Sequence, residues 1–220
     1  MQNDQLLERW KNVWKDPDFK QKLFVALALL VCLLPILPYF YQYIQLRNGY
    51  TQNDLLLRAI PPYDVSIPVF TILWLTMILS IFRSIQNPKT FLIFFYGFLI
   101  LNITRLICIY IVPLNPPIGL IPMIDPISNF FYGKSYVTKD LFYSGHTAAQ
   151  VLIFLCLNKK SDKWIAFVAA VLIAVLVLIQ HVHYTLDVIC APFFGYLSFY
   201  LSSKIVDSAK SNNNIVIYDS

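Results

Sequence analysis

The sequence is short of charge and of the residues that build metal and disulfide sites. Asp, Glu, Lys and Arg make up 13% of its 220 residues, against about 25% in an ordinary soluble domain. With 58% hydrophobic residues and a mean hydropathy of +0.61, this excludes a water-soluble globular domain. The four cysteines (Cys32, Cys108, Cys156, Cys190) lie inside apolar runs and none forms a close-spaced pair. That excludes a disulfide framework and a cysteine zinc site, and the thiols read as small packing residues. There are three histidines, and no His-Glu-x-x-His pattern. No internal repeat and no Gly- or Pro-broken spans in matching halves are present, which argues against a transporter.

What the sequence does have is long apolar runs. Each helical pass of a bilayer needs about 20 mostly apolar residues, and six runs qualify: 22–44, 66–85, 90–112, 141–157, 164–182 and 184–205. About twenty polar and charged residues precede the first run and no small-residue cleavage site follows it, so it is expected to stay as an anchor. With a cytoplasmic amino terminus, twelve Lys and Arg fall on the cytoplasmic side. Four (Arg47, Arg58, Lys134, Lys139) fall on the other, and Arg105 stays inside a run. This is the positive-inside bias. Both termini are then cytoplasmic, and the formal charge of +5 reflects topology, with no nucleic-acid partner expected.

The fold predicted is all-α and polytopic, with six transmembrane helices. Residues 1–21 form an interfacial segment, in which Leu6, Leu7, Trp10, Val13 and Trp14 recur at helical spacing opposite Glu8, Arg9, Lys11 and Lys15. Residues 22–205 form the membrane domain, and 206–220 a disordered cytoplasmic tail. The proline-rich connection 113–139 is expected to lie on the outer membrane surface as a lid or substrate guide.

Ionisable residues in or beside membrane spans call for an explanation, because a charge at the bilayer centre costs roughly 2.5 to 3.5 kcal/mol on insertion scales. Arg105, Asp140, His146, His181, His183 and Asp187 are the candidates. The 37 residues from His146 to His183 make two near-complete passes and a loop, which brings both histidines to the outer level. Arg105 reaches that level with its long side chain. In "HVHYTLDV" (181–188), His183 and Asp187 are four apart, which on a helix lets the carboxylate accept a hydrogen bond from the ring. In "DLFYSGHT" (140–147), Ser144 and Gly145 open a helix whose free amides favour an anion, with His146 about six residues into the run. Each residue also has a structural reading. His146 can be an interfacial hydrogen-bonding residue, Arg105 a snorkelling side chain and Asp140 the acid of the helix N-terminus. His181 projects about 200° from His183 on a helix, which favours a supporting role. Three histidines and two aspartates also suit zinc, although His-x-His on one helix does not present both rings to one ion. Their joint placement in one leaflet favours a reaction site.

The two histidine motifs together resemble those of sphingomyelin synthases and their relatives, a branch of the lipid phosphate phosphatase (type 2 phosphatidic acid phosphatase) superfamily. Weaker similarities are "PPYD" (61–64), which contains Asp64, and Arg105 followed by "PLNPP" (113–117). The resemblance implies that His183, oriented by Asp187, attacks the phosphorus to form a phosphohistidine. It implies that His146 protonates the leaving hydroxyl and then activates the acceptor, and that Arg105 and the amides near Ser144 and Gly145 hold the phosphoryl oxygens. Asp140, Lys139, Asp64 and Tyr184 would support the site. "VLVLIQHV" (175–182) lacks the Ser-Arg pair usual in the phosphatases, which favours the synthase branch; Thr138-Lys139 replaces Cys-Gly ahead of the aspartate.

The expected function is transfer of a phospho-headgroup from a membrane phospholipid to ceramide or a similar lipid alcohol, on the exoplasmic face and without a cofactor or metal. A lipid phosphatase or phospholipase C using water is the alternative. A non-catalytic lipid-binding membrane protein is a third reading.

Overall fold

The computed structural model describes residues 2–123 and 137–208. Within them the chain forms eight helices and no strand. They are α1 (Gln2–Val13), α2 (Pro17–Leu46), α3 (Leu55–Ala59), α4 (Ser66–Gln86), α5 (Pro88–Ile111), α6 (Gly145–Cys156), α7 (Lys160–Ile179) and α8 (Thr185–Asp207). Five of these, α2, α4, α5, α7 and α8, are long and apolar enough to cross a membrane. Most of the tail expected at 206–220, and residues 124–136 of the connection expected to act as a lid, lie outside the described residues.

Local sequence sets the helix starts. Asp16 accepts the Asp18 N–H ahead of Pro17, and Asn87 accepts from Lys89 and Thr90 ahead of Pro88. Proline suits a first helical position because its missing N–H has no intrahelical partner there. These caps start α2 and α5 a few residues before the apolar runs begin. The run 141–157 departs further: its helix is only Gly145–Cys156, 12 residues, or about 18 Å long. The cause is Ser144, whose hydroxyl accepts the Thr147 N–H at 3.4 Å and fixes the helix start there. Leu141 and Tyr143, read as span residues, are instead buried in non-helical backbone.

The core lies where α8 packs on α5 and α6, and α6 on α7. Leu101, Tyr143, Ala148, Leu152, Cys156 and Ala191 form one buried cluster. Small residues let the backbones approach: a Cβ on Gly195 would lie 2.9 Å from the Ala148 carbonyl oxygen, the kind of contact that drives helix association in a bilayer. The outward faces are apolar. Val31, Leu34 and Ile36 of α2, Leu75 and Ile78 of α4, and Val168 and Val175 of α7 are all exposed. Such surfaces are sustained by lipid and not by water.

The helices run between two distinct ends. At the near end α1 docks through the Trp10 indole, which donates to the Ile85 carbonyl at 2.8 Å and meets Phe19 and Phe91 edge-on. Arg83 pairs there with Asp162 at 2.6 Å and Lys89 with Asp207 at 2.9 Å. At the far end, the connections 47–65 and 112–123 meet the turn between α7 and α8. A bridge joins Tyr50 to Leu114, and the Tyr63 N–H donates to the Ile179 carbonyl at 3.1 Å.

Candidate active site

His146 and His183 meet at the far end. Their ring centroids are 6.0 Å apart and their planes are inclined by 65°. His146 is the second residue of α6, and not six residues into a span, because the Ser144 cap delays the helix. His183 lies in the turn before α8. It does not share a helical face with Asp187, because Tyr184 ends the turn as the helix cap. Asp187 sits one turn in, where its Oδ2 accepts the Tyr184 N–H at 2.9 Å. The same oxygen lies 3.5 Å from His183 Nδ1. The pair is 2% and 0% exposed.

Buried polar atoms are normally paired. Here Nδ1 of His146, Nδ1 of His183 and Oδ1 of Asp187 are buried without a hydrogen-bond partner. Three such atoms in one cluster mark a place where the protein keeps hydrogen-bonding capacity in reserve. Contacts of this kind are often long in a ligand-free enzyme and tighten around substrate.

Arg105 projects from α5 into the same place. Its Nη2 donates to Asp140 Oδ2 at 2.8 Å and to the Asp140 carbonyl at 3.0 Å, and its Nε donates to the Tyr143 carbonyl at 3.3 Å. Asp140 therefore does not act as the acid of a helix N-terminus: α6 begins five residues later, and the carboxylate is the partner of Arg105. The guanidinium lies against Gly145, where a Cβ would come within 2.6 Å of Arg105 Cζ. A larger residue there would have to displace the guanidinium.

The expected anion cradle is narrower than the sequence suggested. The Ser144 N–H donates to the Asp187 carbonyl at 3.1 Å and its hydroxyl caps α6, so neither group is directed at a ligand. The amides of Gly145 and His146, the first two of α6, have no hydrogen bond among the described residues and remain available to an anion. Together with Arg105 they can hold phosphoryl oxygens beside two imidazoles, one backed by a carboxylate. That arrangement suits nucleophilic and acid–base chemistry at phosphorus.

Of the residues proposed from sequence as supports, Lys139 and Asp64 bond away from the histidine pair, and the Tyr184 side chain does too although its N–H meets Asp187. Lys139 donates to the Arg47 carbonyl at 2.6 Å. Asp64 accepts from the Ser66 N–H and hydroxyl at the start of α4, and these bonds hold its carboxyl below the usual range. The Tyr184 hydroxyl donates to the Asn115 carbonyl at 3.0 Å and accepts the Gln52 N–H at 3.2 Å, so this side chain braces the surrounding loops.

His181 is not on a helix either. Helix α7 closes with the His181 N–H donating to Leu178 and the Val182 N–H to Val177, the paired bonds of a Schellman motif. His181 occupies the left-handed position, φ 55°, where glycine is usual.

Two residues were missed from sequence. Tyr143 is fully buried, stacks on Phe194 at 3.9 Å, donates to the Leu101 carbonyl at 3.0 Å and supplies the carbonyl that receives Arg105. Asp54, 8% exposed, accepts the Leu57 N–H at 3.0 Å, the Thr185 N–H at 2.6 Å and the Thr185 hydroxyl at 2.9 Å. Its motif, an Asp ahead of Leu55-Leu56-Leu57, is legible as a helix cap; its second partner, 131 residues away, is not.

No curated protein and no solved structure matches the chain. Residues 139–204 match the family model described as PAP2 superfamily C-terminal. Over this segment the chain is similar to the type 2 phosphatidic acid phosphatase superfamily, a similarity that suggests lipid phosphatase- or phosphotransferase-type activity and selects no branch of that superfamily.

Proposed function

We propose that the protein is a membrane lipid phosphotransferase that moves a phospho-headgroup from a phospholipid to ceramide or a similar lipid alcohol through a phosphohistidine on His183. The observation that carries this reading is the meeting of the two imidazoles at 6.0 Å, with Asp187 behind His183.

In the first step Nε2 of His183 attacks phosphorus, its other ring nitrogen being turned to Asp187. The P–N bond forms as the ester P–O bond breaks, and the departing lipid alkoxide takes a proton from His146. In the second step His146, now neutral, accepts the proton of the incoming hydroxyl. The new P–O bond forms, the P–N bond breaks and both histidines return to their starting states. Arg105 and the Gly145 and His146 amides stabilise the charge on the phosphoryl oxygens. Asp187 holds the His183 ring and favours its positive charge as the P–N bond forms.

Two features favour a lipid acceptor over water. The His183–Asp187 pair is buried, which limits access of bulk water to the intermediate. The turn ahead of His183 also lacks the arginine usual in the phosphatases.

The test uses purified protein in liposomes of headgroup-labelled phospholipid, with and without ceramide. Label appearing in a ceramide product, and lost in His183→Ala, supports the reading. Water-soluble label released equally in both conditions would assign the protein to the hydrolases instead, and sensitivity to chelators would require a metal.

A further inference from the structure

The nucleophile's turn is held by parts of the chain outside the family-matched segment. Between Gln180 and Thr185 the backbone makes three changes of direction: the end of α7, the left-handed residue His181 and the start of α8. A non-glycine residue in the left-handed region is strained, so something must hold this turn in place. The His181 ring sits between two carbonyl oxygens, Nδ1 at 2.9 Å from that of Ile118 and Nε2 at 2.9 Å from that of Ile60; a neutral ring donates to one of them and an imidazolium to both. The Tyr184 hydroxyl is gripped by Gln52 and Asn115, and Gln180 donates to the Ser66 hydroxyl at 2.7 Å.

Asp54 completes the set. Its carboxylate is fixed by the Leu57 N–H and accepts both donors of Thr185, the first residue of α8, which lies two positions from His183 and two from Asp187. The first amides of a helix have no intrahelical acceptor and attract the nearest carboxylate. Without Asp54 the Thr185 N–H and hydroxyl lose their acceptor, and the start of α8, which carries Asp187, loses its anchor to the 47–65 connection. Asp54 therefore does more than cap α3.

We infer that the 47–65 connection, through Asp54 and through the Ile60 carbonyl that meets His181, is the positioning frame of the His183–Asp187 pair. Asp54 and His181 are positioning residues and touch no substrate. This inference rests on the proposed role of His183 for its kinetic test and on geometry alone for its spectroscopic one.

The test compares Asp54→Ala, Asp54→Asn and His181→Gly with wild type in the liposome assay. Asp54→Ala is expected to lower kcat about 10- to 100-fold with little change in KM, because misplacing a catalytic group costs rate more than binding. Asp54→Asn, which keeps an acceptor oxygen, should recover part of that loss. His181→Gly relieves the left-handed strain but removes the ring, so kcat should fall while the melting temperature in detergent does not. Independently of substrate, 15N-histidine spectra should show the His183 ring resonances displaced in Asp54→Ala.

Folded Asp54→Ala and His181→Gly proteins that keep wild-type kcat would overturn the frame, as would unmoved His183 resonances. Loss of kcat that only tracks loss of melting temperature would also overturn it. If Asp54→Ala fails to fold, His181→Gly decides. Activity that survives His183→Ala would instead refute the proposed function and leave the spectroscopic test standing.

Discussion

The two ends of the helix bundle handle polar groups in opposite ways. At the near end full charges are paired with one another: Lys89 with Asp207 at the surface at 2.9 Å, Lys22 with Asp18 at 2.7 Å and Arg83 with the buried Asp162 at 2.6 Å. At the far end polar groups are buried and incompletely paired, with unpartnered atoms on His146, His183 and Asp187. Exposed ion pairs contribute about 0 to 1 kcal/mol, whereas a buried polar atom without a partner costs roughly 1 to 3 kcal/mol. Three of the second kind on neighbouring titratable side chains support the proposed reaction site. The comparison separates the end where charges are paired with one another from the end proposed to react.

The sharpest way to break this comparison is to remove the proposed nucleophile. His183→Ala should eliminate headgroup transfer, by more than about 10³-fold, with a folded, membrane-inserted protein remaining. A thermal melt in detergent checks the fold. His146→Ala should fall less far, because a general acid–base group contributes typically 10² to 10⁴-fold.

Next in size is Arg105→Lys, expected to cost about 10²-fold in kcat/KM. An ammonium does not reproduce the planar fork that Arg105 directs at Asp140 and Tyr143. Gly145→Ala should act through the same residue. Its methyl group would occupy the space of the guanidinium, so activity should fall on the order of tenfold or more while a phosphate-free property, the melting temperature, moves by only a few degrees.

How far the sequence carried these conclusions depends on what each signal consisted of. Of the six runs expected as spans, length and apolarity located five helices long and apolar enough to cross a membrane, with ends within about five residues, since a bilayer calls for a run of about 20 apolar residues whatever the packing. The helical spacing of Leu6, Leu7 and Trp10 likewise matches the helix α1, which docks through Trp10. The joining of His146 with His183 followed from counting passes. What failed was the backbone around these residues. An apolar run does not show that Ser144 withholds Leu141–Tyr143 from the helix, or that Tyr184 keeps His183 off it. Both are decisions of capping hydrogen bonds, and they moved Asp140 from a helix end to Arg105. Asp54 was missed because its decisive partner, Thr185, lies 131 residues away, and no periodicity encodes such a contact.

Asp54 also offers a pH test. Burial alone would raise its pKa, but hydrogen bonds from Leu57 and Thr185 outweigh burial and hold it below the ordinary carboxylate value. A carboxylate with a depressed native pKa contributes stability that is present above its unfolded value, near 4, and is lost as pH falls through the lower native one. The melting-temperature gap between wild type and Asp54→Asn should therefore be full at pH 7 and shrink below about pH 4.

The smallest effect belongs to the near end. Lys89→Gln should change stability by less than about 1 kcal/mol and leave transfer untouched. A large loss of activity there would erase the distinction between the two ends.

The central claim is that His183 carries the phospho-headgroup. The most direct measurement is to mix the protein with headgroup-labelled phospholipid, quench rapidly in alkali, where phosphohistidine survives, and map the label by mass spectrometry. Label on the peptide that contains His183, absent from His183→Ala, is the result expected. Turnover with no covalently bound label at any time point, or label that persists in His183→Ala, would contradict it.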